Sequence, residues 1–167
     1  MGRRGKKKSD AVAVEKFGDG LIAKNRRASF DYELGTKMEA GMSLQGSEVK
    51  MLRAGHADLS DAWVAVEKGQ AFVHGLSIPE LQGTPWGHKA KRKRKLLLHR
   101  HEIEALKKAI ERQGMTVVAT RIYFRGGHAK LEIATAKGKR SIDKRSAVKA
   151  READREARAA ITEKWRG

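Results

Sequence analysis

Cysteine is absent from this 167-residue chain, so disulfides, thiolate metal sites and cysteine nucleophiles are excluded. Proline occurs twice, and aromatic residues make up 5% of the chain, too few for serial stacking along a flexible strand. No apolar run approaches the ~18 residues that a membrane-spanning helix requires. Met1–Asp10 is basic but has no apolar stretch behind it, so no secretory signal is read and a cytoplasmic protein without membrane contact is expected. Acidic residues are scarce too. Against 37 Lys and Arg stand 20 Asp and Glu, a formal charge of +17. That excess exceeds what solubility needs and points to a polyanionic partner, nucleic acid ahead of acidic membrane. With so few aromatics, folded RNA recognised by shape and backbone is favoured over single strands.

The length suits one monomeric domain with tails: a basic arm over 1–19, an RNA-binding domain over 20–136 and a basic tail over 137–167. The arm, MGRRGKKKSD at its start, is too charged to collapse. It is equally readable as a solubilising tail or as a source of phosphate contacts. Between Leu21 and Met42, partial alternation predicts strand, and Met38–Leu44 reads as another. Asn25, Arg26 and Arg27 stand early in this region, where an amide and two guanidinium groups suit a phosphate and a base edge, or plain surface. A short helix is predicted from Ser47 as N-cap to a left-handed stop at Gly55, with Glu48 in its first turn and Arg53 in its last.

From Ala62 to Ile78 a hairpin is predicted around Lys68 and Gly69. Trp63 is read as core or rim packing, or as an exposed stacking platform. Pro79–Ala90 lacks periodicity and reads as a loop that Trp86 could anchor. The cation block Lys89–Lys95 follows as a phosphate-binding run or a solvated one. A helix over His99–Gln113 rests on Ile103, Leu106 and Ile110, with Gly114 as its stop. Met115–Phe124 and Ala129–Ala136 form a second hairpin, with Val118, Ile122 and Phe124 expected on one face and Arg121, Arg125 and Lys130 outside. After Ala136 apolar residues thin out, so the tail is predicted to be weakly helical or disordered, Asp143 capping any helix. In sum, a mainly β domain is expected: an OB-fold-like closed barrel of about six antiparallel strands with two to three helices.

Catalytic and metal chemistry find little support. No two of the six histidines are spaced four apart on a predicted helix, and no phosphate loop is recognisable. Glu39, Glu48, Asp58 and Asp61 could collect magnesium, but no nuclease pattern surrounds them. No enzyme and no cofactor are expected.

The segments IAKNRRASFDYEL, GSEVKMLRAGHADLSDAWV, KRKRKLLLHRHEI and AKGKRSIDKR occur in this order between Leu21 and Arg151. They resemble the SmpB family, the SsrA-binding proteins that partner transfer-messenger RNA. The resemblance implies an OB-type barrel that binds the tRNA-like domain of that RNA and delivers it to stalled 70S ribosomes, where the tail senses an empty mRNA channel. It marks Asn25, Arg26, Glu39, Arg53, Lys95, Leu97, Arg125 and Lys130 as RNA-facing. It also marks Gly138, Lys139, Asp143, Lys144 and Arg145 as the tail motif that engages the ribosome, with Ile142 standing where relatives often carry an aromatic or histidine. The alternative is a structural ribosomal protein that uses the same barrel to hold rRNA.

Overall fold

The computed structural model describes residues 20–164. The basic arm expected over 1–19 lies outside them. Seven strands and four helices follow in order: β1 Gly20–Lys24, α1 Arg26–Asp31, β2 Tyr32–Met42, α2 Gly46–Arg53, β3 Trp63–Glu67, β4 Gln70–His74, β5 Arg94–Leu97, α3 Arg100–Gln113, β6 Thr116–Arg125, β7 His128–Gly138 and α4 Ser141–Lys164. Every strand pairing is antiparallel. The ladder runs β1-β6-β3-β4-β5-β2-β7, and β7 pairs back onto β6.

Both hairpins turn where expected. Lys68 and Gly69 have φ of 48° and 74°, and Gly126 and Gly127 have 57° and 76°. Positive φ at both central residues matches the right-handed twist of the flanking strands. Helix α3 keeps its apolar face on the core through buried Leu106, and Gly114 closes it at φ 58°. The main core gathers Leu52, Leu59, Val64, Val73, Leu76, Ile78, Leu96, Ile122, Leu131 and Ile133 inside the ladder.

Four expectations need correction. The strand predicted from Leu21 is interrupted by α1, because the Asn25 side chain accepts from the Ala28 N–H at 3.0 Å and caps a helix there. The N-cap of α2 lies two residues earlier than predicted, at Gln45 rather than Ser47; the Gln45 N–H donates to Glu48 Oε2 at 2.7 Å, and Ser47 turns its hydroxyl to His88. Val118 leaves the face of Ile122 and Phe124 for a small cluster with Ala28 and Ala136. The cause is a bulge: Ala119 pairs with Ile133 and Arg121 with Glu132, so Thr120 is extra and alternation flips there. Finally, β5 was not foreseen, because RKLL offers four residues in a cation block rather than an alternating run.

Candidate nucleic-acid interface

Strands β2, β7 and β6 lie side by side, and their outward side chains form a charged face. Glu39 faces Glu132 in the β2–β7 register, and Arg121 and Tyr123 lie opposite Glu132 and Lys130 on the other side of β7. Tyr123 donates its hydroxyl to Glu39, and Arg125 Nη1 donates to the same carboxylate at 3.2 Å. These contacts, the tyrosine first, hold the Glu39 carboxyl below its ordinary range. Burial and the neighbouring carboxylate push the Tyr123 hydroxyl up to about 12. A second acid is committed likewise: Glu132 takes Arg121, the Thr120 hydroxyl at 2.7 Å and Lys37 at 3.7 Å. Glu39 is therefore an ionised acceptor held in a fixed direction.

Beside it lies an open groove of about 860 Å³. Glu39 and Gly41 from β2, Lys95 and Leu97 from β5, Lys130 from β7 and His99 before α3 line it. Strand β5 alternates, so Arg94 and Leu96 point inward while Lys95 and Leu97 point out. Leu97 is 56% exposed. It lies across Gly41, where a Cβ would come within 3.2 Å of the Leu97 Cβ, so glycine lets the leucine sit close to the strand. A smaller groove shares Gly41, Leu97 and Lys130 and continues to Phe124 and His128. The Arg53 guanidinium stands 5.9 Å above the Phe124 ring, which brings α2 to the same surface.

The remaining predicted residues gather elsewhere. The β2–β7 register runs from Tyr32 opposite Gly138 to Gly41 opposite Lys130, so α1 and the tail sit roughly 30 Å of strand from the groove. Arg26 is exposed on α1. Asn25 is buried, and its amide donates to the Leu59 carbonyl at 2.8 Å and the Ala119 carbonyl at 3.0 Å. Lys139 Nζ donates to the Ser29 carbonyl at 2.9 Å, Lys144 pairs with Asp31 at 3.2 Å, and the Arg151 guanidinium lies 5.3 Å over the Phe30 ring. These charge-assisted contacts replace the apolar face that the tail lacks, and it forms the 24-residue α4. Asp143 sits in the first turn of α4 rather than at its cap, and Arg145 is exposed.

The model of the SmpB protein family matches residues 22–163. The chain belongs to the SmpB family. An SsrA-binding protein of Sorangium cellulosum is 54% identical over 150 residues, covering 90% of this chain and 93% of that one. One from Nocardioides is 49% identical over 148 residues, covering 88% and 93%. A solved chain described as "tmRNA-SmpB: a journey to the center of the bacterial ribosome" superposes with TM-score 0.62 at 41% identity, covering 75% of this chain and 93% of that one.

In this SmpB the block Lys89–Lys95 is not a continuous phosphate-binding run. Arg92 Nη2 donates to Glu48 at 2.6 Å and Arg94 Nε donates to it at 2.7 Å, with Glu48 and Arg94 both fully buried. Lys93 pairs with Glu67 at 2.7 Å, and Lys95 alone of the block reaches the groove. Burial pulls the Arg94 guanidinium down, while the two arginines and the Gln45 N–H outweigh burial at Glu48 and keep its carboxyl low. Trp86 does not anchor the loop and is 90% exposed, whereas Trp63 is half-exposed and stacks on His74 at 4.6 Å. Sequence reasoning missed Tyr123 as the residue that orients Glu39. The signal was the spacing of Arg121, Tyr123 and Arg125 on one strand face, which the bulge at Thr120 obscured.

Proposed function

We propose that this SmpB binds the tRNA-like domain of transfer-messenger RNA and brings it to ribosomes stalled without downstream message, catalysing no reaction itself. The ladder that returns from β7 to β6 is read as an OB-like closed barrel, a scaffold that offers one face to folded RNA. The observation that carries the reading is convergence: Glu39, Lys95, Leu97 and Lys130, from three strands, line one open groove. Lysines there neutralise phosphates, and the oriented Glu39 carboxylate accepts from a base or ribose. At the far end of the β2–β7 ladder from this groove, Asn25 acts by capping α1 and presenting Arg26. The tail, with Lys139, Lys144 and Arg145, is read as the segment that enters an empty mRNA channel, where stalled and translating ribosomes differ.

Lys130→Ala should weaken binding of transfer-messenger RNA and lower the slope of log affinity against log salt by about 0.9. An unchanged slope in a mobility-shift titration would remove Lys130 from the contact. Deleting residues 141–167 should leave that affinity within about threefold and abolish tagging of stalled products. The truncation starts there because Lys137 and Gly138 pair with β2. Severe loss of RNA binding by the truncated protein would reject the division of labour.

A further inference from the structure

The loop between β4 and β5 carries the most exposed large apolar side chain among the described residues, Trp86. The loop is pinned at its base. The Ile78 N–H donates to the Ala90 carbonyl at 3.0 Å, and Arg94 Nη2 donates to the same oxygen at 3.0 Å. Buried His88 sits between Ser47 Oγ of α2 at 2.9 Å and the Ile78 carbonyl at 3.1 Å. Within the loop the Thr84 hydroxyl donates to the Leu81 carbonyl at 3.1 Å. Pro85 fixes the backbone φ just ahead of the indole. A ring presented on a stiff loop loses little further freedom when a ligand meets it.

Charge says which ligand. Lys89 and Lys91 follow the tryptophan as exposed cations, and Glu80 is the one acid between Pro79 and Ala90. Lys91 is 3.9 Å from Asp61, with both side chains largely in water, so a phosphate can displace that partner. The cations repel a basic protein surface and attract a polyanion. Downstream, the chain enters β5, which carries Lys95 and Leu97 outward into the groove.

We propose that Trp86 is a stacking platform for an unpaired RNA base, with Lys89 and Lys91 taking the adjoining phosphates, so that the RNA interface extends beyond the groove. This rests on the RNA-binding reading above. The base can belong to transfer-messenger RNA or to ribosomal RNA, and the experiment separates the two. A full-length protein carrying Trp63→Phe and Trp165→Phe leaves Trp86 as its one tryptophan. Its emission should be quenched by the arm that holds the base, either the isolated tRNA-like RNA fragment or message-free ribosomes. Trp86→Ala should weaken binding to that arm about 5- to 150-fold, and Trp86→Tyr should retain most of it. The side chain buries almost nothing, so an unchanged thermal melt is expected for both variants. Absent quenching in both arms, with Trp86→Ala within twofold of the parent, overturns the proposal. So does quenching by ribosomes with no RNA nucleotide protected in a footprint, which assigns the ring to a protein. If the parent protein fails to bind the RNA fragment, the reading of the groove fails on its own; quenching by ribosomes would still support the platform, and none would overturn it.

Discussion

At the scale of single residues, identical chemistry has gone to opposite uses according to where the backbone points it. Glu39 and Glu48 are both paired to arginine, but one faces an open groove and the other is fully buried between Arg92 and Arg94. Removing one member of a buried pair leaves the other charge without its counter-ion, at a cost of about 3–5 kcal/mol. Glu48→Gln should therefore lower stability by about that amount in urea denaturation at neutral pH. Arg94 also donates to the carbonyls of Leu76, Arg92 and Ala90, so removing both charges does not restore what the single change loses. Asn25 was legible as a functional position but not as a buried one. Its amide meets the Ala119 carbonyl, and its N–H meets the Thr120 carbonyl at 2.8 Å, at the bulge where the ladder is broken. That bulge is 95 residues on in the chain, and nothing near Asn25 announces it.

Elements that turn on local chemistry were the most readable. Gly55, Gly114 and both hairpin turns lie where glycine supplies a left-handed backbone at no steric cost. Gly75 is a further case: its φ is +71°, and a Cβ there would overlap the Asp61 carbonyl oxygen. Gly75→Ala should lose about 1–3 kcal/mol from backbone conformation alone, and more from the overlap. Gly46→Ala, where a Cβ meets nothing within 4 Å, should stabilise by about 0.4–1 kcal/mol. Urea midpoints of the two variants check both signs. Short or interrupted elements escaped, namely α1, β5 and the bulged middle of β6, because four to six residues carry too little periodicity to outvote their neighbours.

For the whole molecule, proton linkage couples these sites. Glu39, Glu48 and Glu132 all have carboxyls held below the ordinary 4.5, so below that pH the unfolded chain binds protons that the folded one refuses. Stability should fall as the pH drops below about 5, and the fall should be shallower in Glu39→Gln, as read from urea midpoints at a series of acid pH values. Tyr123 works at the other end: its ordinary value is 10.0 and its folded value about 12, so its contribution is complete below the first and lost as pH rises through the second. The sequence by itself determined a cysteine-free, strongly basic chain with two glycine-turned hairpins, an amphipathic helix and an ordered set of family motifs. Those follow from composition and from interactions within a few residues. Only the tertiary structure decided which cations face outward, because Arg92 and Arg94 meet Glu48 across more than 40 residues of chain. It likewise decided that Glu39, Lys95, Leu97 and Lys130 share one groove, since strand register and a single extra residue in β6 fix which face each side chain takes.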